Sequence, residues 1–422
     1  MNATSAKVIA APEAARRLLQ DPALCRVLSV LDTDGEEARL VGGALRNALL
    51  GREVVECDIA TTATPQIIMA RAGAAGLRPI PTGLEHGTVT LLANGKSFEA
   101  TSLREDIETD GRHAKVRFSR DFAGDARRRD FTINAFSMTR DGALYDYVGS
   151  MEDLDARRVR FIGDPAARIR EDYLRILRFF RFAADYGEGP LDAAALHAAL
   201  AEHDGLFRLS RERTRNEILK LLVARRAGEV TRIFCETGFF GQIVGIAPNS
   251  PRFENLLRYG REDPPDAILR LAALCLNLVE DAQRLRDDLR LSNQQHRRLE
   301  CAAQALLPLH GLDEPPAPQQ LLRLLFRYGR EAACDAMALA QAETAPRFFA
   351  KWRDAIVFLR EAEEPKLPFS GADVMARGIT EGRAVGAALE ELRRRWIDAG
   401  FPKDPRQLSA LLEAAVLPQN RE

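Results

Sequence analysis

Two acidic positions, a pair of glycines and two arginine-rich stretches hold most of the chemistry that this chain's residue types allow. Glu56-Cys57-Asp58 places carboxylates at i and i+2 of the run Val54–Ala60, which reads as a β-strand. On a strand such side chains share a face, roughly 6–7 Å apart. There they can hold divalent cations together with a substrate's phosphates, since Mg²⁺ prefers oxygen ligands of this kind. Glu99, on a neighbouring expected strand, can supply a third carboxylate. In Leu40-Val41-Gly42-Gly43-Ala44-Leu45-Arg46 a strand ends in two glycines and a helix begins. Small residues let backbone N–H groups approach an anion, and the helix N-terminus adds a favourable dipole. Arg46, one turn in, can reach a phosphate.

Arg128-Arg129-Asp130, followed by Phe131-Thr132-Ile133-Asn134, offers adjacent arginines that can clamp a triphosphate, with Asp130 holding one of them by a paired hydrogen bond. Glu171-Asp172 is followed by Arg175, Arg178 and Arg181 in a helical pattern. At about 100° per residue Asp172 and Arg175 share a helix face, while Arg178 and Arg181 drift further round. A carboxylate beside a guanidinium can read a base edge: Asp accepts from an exocyclic amine and Arg donates to the neighbouring acceptor. Such a pair takes cytosine and adenine and rejects uracil and guanine. Each feature singly also has a plainer form: a strand-to-helix turn, a solvated acidic strand face, a basic helix surface, an i,i+3 surface salt bridge.

These residues need a mixed framework. Ala38–Val41 reads as a strand, Ala44–Leu50 as a helix stopped by Gly51, and Thr88–Leu92 with Ser97–Thr101 as paired strands around Ala93-Asn94-Gly95-Lys96. The charged stretch Arg104–Arg117 reads as a mobile loop, and a helix is expected to start after Ala126. From about Pro165 apolar residues recur at helical spacing, as in Tyr173, Ile176, Leu177 and Phe180, then Ile218, Leu221 and Leu222. The fold expected is α+β: a small mixed-sheet head over 1–150, a helical neck over 151–260 and a helical body and tail over 261–422.

At 422 residues the chain has room for about two to four domains. With 46% hydrophobic and 29% charged residues, it is neither disordered nor collagen-like. No uncharged apolar run is long enough to suggest a membrane span, and the first 20 residues lack the layout of a secretory signal. The six cysteines show no zinc-binding or dense disulfide spacing, and a cytoplasmic location is expected. The 60 basic residues nearly balance 61 acidic ones, but Arg208–Arg232 carries a local net charge of +5. Such a stretch can follow a nucleic-acid backbone.

In this order the motifs resemble the class II CCA-adding enzymes, the tRNA nucleotidyltransferases that share a head domain with bacterial poly(A) polymerases. The resemblance runs through Leu40–Pro65, Thr82–Thr90, Glu99–Arg104, Asp125–Ala135 and Glu171–Arg181, and more loosely through Leu209–Leu222 and Leu289–Asn293. It implies a nucleotidyltransferase-type head and a helical RNA-binding remainder. It also implies addition of C, C and A to tRNA from CTP and ATP, with Mg²⁺ as cofactor. Glu56 and Asp58 then match the metal ligands and Glu99 a further catalytic carboxylate. Gly43, Arg46 and Arg129 match triphosphate contacts, with Gly42, Arg128, Asp130 and Asn134 in support. Asp172 and Arg175 match the base-selecting pair, and Arg178 and Arg181 further nucleotide contacts. The expected partners are tRNA, CTP and ATP, with no membrane and no protein partner.

Two positions depart from the family pattern. Glu56 stands where an Asp is usual, reaching one methylene further, and Asn47 stands where a charged brace for Arg46 is usual. Within the fold the rival is a poly(A) polymerase. Thr82-Gly83-Leu84-Glu85-His86-Gly87-Thr88 resembles the CCA type instead, and the final LLEAAVLPQNRE lacks the polymerases' basic tail. CC-only or A-only adding enzymes, and a non-catalytic tRNA-binding relative, are the other readings.

Overall fold

Residues 6–109, 114–260, 264 and 266–416 are described in the structure, a computed structural model. The strands are β1 (Lys7–Ala10), β2 (Ala38–Val41), β3 (Asp58–Thr61), β4 (Arg78–Gly83), β5 (Thr88–Ala93), β6 (Lys96–Ser102), β7 (Arg104–Thr109), β8 (Ala114–Phe118), β9 (Ser137–Met138) and β10 (Ala143–Asp146). Eight of them form one mixed sheet in the order β1-β10-β9-β2-β3-β6-β5-β4. Its neighbours are antiparallel except β3 and β6, which run parallel with Asp58 opposite Glu99. The α+β class, with a mixed-sheet head followed by helices, is the architecture observed.

Local chemistry sets these elements. Asn94 and Gly95 both have positive φ (49° and 77°), the two-residue turn that matches strand twist and fixes the β5/β6 register. Strand β6 then alternates: Phe98, Ala100 and Ser102 are buried, while Ser97 and Glu99 are exposed. Helix α1 (Pro22–Leu31) starts at Asp21, whose side chain accepts from Ala23 N at 2.9 Å. Helix α2 (Gly43–Leu49) follows Gly42, whose φ of 73° and ψ of −130° suit only glycine.

Three sequence expectations are corrected here. The run Val54–Ala60 is a strand only from Asp58. Val41 is the last β2 residue to pair, opposite Asp58, and the chain turns away at Gly42. Glu56 therefore precedes the ladder, and it does not share a strand face with Asp58. The stretch Arg104–Arg117 is not wholly loop: β7 pairs with β8, and Glu105 meets Arg117 across the hairpin at 2.6 Å. Residues 110–113 of that stretch lie outside the described residues. The helix expected after Ala126 is α3 (Phe122–Arg128), begun four residues earlier by the Asp121 cap, which accepts from Ala123 N at 2.9 Å.

The chain divides into two compact units, Met1–Thr237 and Gly238–Glu422. In the first, an aromatic cluster backs the site: Phe131 lies 4.8 Å from Phe161 and 5.0 Å from Phe182. Helices α4 (Pro165–Glu171), α5 (Leu174–Tyr186) and α6 (Arg211–Leu222) matter most there. Helix α5 buries Ile176, Leu177, Phe179, Phe180 and Ala183 and leaves Arg175, Arg178 and Arg181 on its other face. In the second unit, helices surround buried polar ties. Arg252 donates to Glu343 Oε1 at 2.7 Å, and Arg298 Nε donates to Asp335 Oδ2 at 2.7 Å. The segment Pro318–Glu343 is broken at Gly329, whose φ is 78°. No described helix is long and apolar enough to cross a membrane.

Candidate nucleotide-binding cleft

One cleft of about 790 Å³ in the first unit collects most of the expected residues. Its lining includes Gly42, Gly43, Arg46, Asp58, Glu99, Arg128, Arg129, Asp130, Asn134, Asp172, Arg175, Arg178 and Arg181. Glu56 is not part of this lining and is exposed.

The acidic end is built by strand register. Asp58 and Glu99 face each other on adjacent parallel strands. Asp58 opens to solvent at the cleft floor, yet its carboxyl is pushed above its ordinary range. Desolvation is the largest cause and the Glu99 charge the next; Arg129 opposes them, and Glu56 adds a smaller push. Glu56 is thus close enough for its charge to be felt. Two carboxylates crowded together, with the ionised form of Asp58 held back, favour a bound cation, and hard oxygen donors suit Mg²⁺ with the remaining positions left for phosphates and water. The donor set fits a divalent ion, although no cluster of three or more His, Cys, Asp or Glu that could hold a metal occurs among the described residues.

The basic side is built from arginines fixed by partners that sequence spacing did not reveal. Arg46 is buried, and its hydrogen-bond acceptors are neutral, with the Asp130 and Asp185 carboxylates near enough only for their charge to be felt. It donates to Asn134 Oδ1, to Asn47 Oδ1 at 2.9 and 3.1 Å, and to the Tyr186 hydroxyl at 2.7 Å. Its guanidinium also lies 3.9 Å from the Tyr186 ring centroid. Burial pulls its pKa below the ordinary arginine value, with Arg181 adding to the effect and Tyr186 opposing it. A buried guanidinium held only by neutral acceptors keeps a charge that an anion can satisfy. Asn47 therefore still braces Arg46, without a charge.

Arg128 and Arg129 are held by Asp125, not by Asp130 as the sequence suggested. Arg129 Nε and Nη2 donate to Asp125 Oδ2 at 3.1 and 3.0 Å, and Arg128 Nη2 donates to Oδ1. The i,i+3 and i,i+4 spacing around Asp125 carried that signal. Among the described residues Arg128 Nε is a buried donor with no partner. Asp130 instead receives Arg178 Nε and Nη2 at 2.8 and 2.5 Å, and Asn134 Nδ2 at 2.9 Å. The glycines make room for this layer. A Cβ on Gly42 would lie 2.8 Å from Arg129 Nη1, and one on Gly43 would lie 3.4 Å from Arg46 Nη2.

Asp172 and Arg175 both line the cleft but do not share a helix face. Asp172 sits at the junction of α4 and α5 with extended backbone (φ −156°, ψ 106°). Its Oδ2 accepts from Arg213 Nη2 at 2.6 Å, whereas Arg175 Nη1 donates to Glu171 Oε2 at 2.5 Å and to the Arg168 carbonyl at 2.8 Å. Arg181 Nε donates to Glu217 Oε2 at 2.5 Å. Glu217 and Arg213 both belong to α6, and nothing in local spacing linked them to Arg181 or Asp172.

Comparison with known proteins bears on this geometry. Residues 38–160 match the family described as the poly A polymerase head domain. The chain is 32% identical over 400 residues to the mitochondrial CCA tRNA nucleotidyltransferase 1 of Danio rerio, covering 89% of this chain and 87% of that protein. It is 29% identical over 393 residues to the CCA-adding enzyme of Levilactobacillus brevis, covering 91% and 95%. Among solved structures it resembles the Bacillus stearothermophilus CCA-adding enzyme in complex with CTP, with a TM-score of 0.71 and 27% identity, covering 93% of this chain and 96% of that one.

Proposed function

The chain belongs to the CCA-adding tRNA nucleotidyltransferases, and on that premise we propose that it adds C, C and A to tRNA 3′ ends from CTP and ATP, releasing pyrophosphate at each addition. The observation that carries the reading is the cleft itself. The register-paired carboxylates Asp58 and Glu99 line one cleft with Arg46, Arg128 and Arg129, and Asp172 and Arg175 line the same space.

In this reading Asp58 and Glu99 would hold Mg²⁺, with the charge of Glu56 nearby. When bound, that ion acidifies the attacking hydroxyl and offsets charge on the leaving pyrophosphate. Arg46, buried among neutral partners, and Arg129, held by Asp125, take the triphosphate, and the Gly42-Gly43 turn lets both guanidiniums lie against the backbone. Arg128, held by the same Asp125, adds positive charge to this wall of the cleft. The tRNA 3′-oxygen bonds to the α-phosphorus as the bond to the β-phosphate bridging oxygen breaks. Asp172 accepts from the exocyclic amine of C or A while Arg175 donates to the neighbouring acceptor. Arg178 and Arg181 line the nucleotide space, fixed by Asp130 and Glu217.

Residues 1–150 then form the catalytic head, 151–260 select the base and bind RNA, and 261–422 bind tRNA. Basic stretches such as Arg208–Arg232 follow the backbone, so affinity falls as salt rises. A cytoplasmic setting belongs to the same proposal; the six cysteines are all free thiols, as a reducing compartment keeps them.

The test uses a tRNA transcript lacking its last three nucleotides, with Mg²⁺ and CTP, ATP or both, resolved to single nucleotides. Two additions with CTP and a third only when ATP is present are expected. A long ladder with ATP alone would assign a poly(A) polymerase instead, and no extension with tRNA still bound would assign a non-catalytic role.

A further inference from the structure

Arg213 and Asp172 are 41 residues apart in sequence, yet Arg213 Nη2 donates to Asp172 Oδ2 at 2.6 Å. The other oxygen, Oδ1, accepts from the backbone N–H of Leu174 at 3.1 Å. A carboxylate has about four lone-pair sites, so an edge of Asp172 remains for a further donor. The backbone of Asp172 is extended and outside both flanking helices, so helical geometry does not orient its side chain. Those two bonds do.

The helix that carries Arg213 is itself anchored to α5. Glu217, one turn further along α6, receives Arg181 Nε of α5 at 2.5 Å, and both partners are almost fully buried. Two ion pairs of opposite sense therefore tie these elements together. Arg181 reaches from α5 to α6, and Arg213 returns from α6 to the foot of α5. The inner pair is buried and structural. The outer one is half exposed at Arg213, whose side chain lines the nucleotide cleft. Arg175, the other member of the base-reading pair, is secured separately by Glu171 and the Arg168 carbonyl.

Resting on the reading that Asp172 selects the base, we propose that Arg213 is a positioning residue for nucleotide selection: it pins one oxygen of Asp172 so that the open edge of the carboxylate faces the base as an acceptor. Cytosine and adenine present an amine to that edge, and uracil and guanine a carbonyl. With Arg213 absent the carboxylate is free to turn, which weakens the contact with C and A while relieving the repulsion of U and G.

The experiment measures KM and kcat for CTP, ATP, UTP and GTP on tRNA transcripts with the wild-type chain, Arg213→Ala, Arg213→Lys, Asp172→Ala and the Arg213→Ala/Asp172→Ala double variant. Loss of one charge-assisted bond at a half-exposed pair corresponds to about a tenfold effect. Arg213→Ala should raise KM for CTP and ATP about tenfold and raise the UTP-to-CTP incorporation ratio by a similar factor. Arg213→Lys should recover part of both, because a point charge can replace a single bond. In the Asp172→Ala background the Arg213 substitution should change neither quantity further. Unchanged discrimination in Arg213→Ala, or an equal effect in both backgrounds, overturns the proposal. Discrimination that survives Asp172→Ala overturns the base-reading role itself, and the proposal with it. A thermal melt of each variant separates these results from a failure to fold.

Discussion

Replacing Asp130 with Asn tests how the arginine layer of the cleft is held. Asp130 is buried and accepts four hydrogen bonds: two from Arg178, one from Asn134 Nδ2 and one from the Phe131 backbone N–H at 2.8 Å. Asparagine keeps one acceptor oxygen for Phe131 and Asn134 but turns an amide donor toward the Arg178 guanidinium. Breaking a buried ion pair costs about 3–5 kcal/mol. The Arg178 side chain is 31% exposed, so water recovers part of that, leaving about 2–3 kcal/mol. The pH dependence is equally specific. Burial pushes the Asp130 carboxyl up, but the Arg178 charge with the bonds from Asn134 and Phe131 more than offsets it, and its pKa lies below the ordinary value. The stabilisation is therefore present above the pKa of an unfolded aspartate and disappears as pH falls through the folded value. Urea unfolding, with hydrogen exchange across Leu174–Tyr186 as the local readout, should show a deficit of this size at pH 7 that shrinks on acidification. A deficit below about 0.5 kcal/mol, or one that does not change with pH, would refute the assignment of Asp130 as the anchor of Arg178.

Three further outcomes follow from the same site. Gly42→Ala combines positive φ with a Cβ 2.8 Å from Arg129 Nη1; it should cost about 1–3 kcal/mol in a thermal melt and raise KM for both nucleotides. Because the Asp58 carboxyl is raised by desolvation and by Glu99, protons should compete with Mg²⁺ from a higher pH than an ordinary aspartate at ~4 allows. Half-saturating Mg²⁺ should therefore climb as pH falls, chelation should abolish nucleotide addition, and a flat profile down to about pH 5 would contradict the shift. Burial, with the Asp21 and Asp58 charges, pushes the Cys57 thiol up to about 11. Mapped maleimide labelling at about pH 8 should find it on the order of 100-fold slower in the folded chain than in urea.

The types of the site residues were readable in the sequence, and their partners were not. Gly42-Gly43 and Asn94-Gly95 are local signals, since each turn needs backbone angles that few residues adopt. The helix over Leu174–Tyr186 was equally plain from its apolar period. Glu56 was misplaced because a strand extends only as far as its neighbour pairs, and β2 stops opposite Asp58. Asp125 lay within reach of spacing arguments, one turn before Arg128 and Arg129, but the adjacent Asp130 drew the assignment. Nothing local could join Arg178 to Asp130 or Arg213 to Asp172, because those choices depend on where α5 and α6 come to rest. The Asp172–Arg175 helix face failed for a related reason. The helical period continues across Glu171–Tyr173, whereas the backbone breaks there, with Asp172 extended.

The turn at Asn94-Gly95 has a reach beyond its own hairpin. Glu99 stands opposite Asp58 only because β6 is counted off from that two-residue connection, four positions away. Lengthening the connection by one residue would shift β6 by one step and bring Phe98 or Ala100, now packed inside, to the place of the carboxylate. A loop at the margin of the sheet is thus closed to insertions and deletions on account of a carboxylate pairing set on another pair of strands. Among variants of this chain, changes in length there should be rarer than changes in residue type.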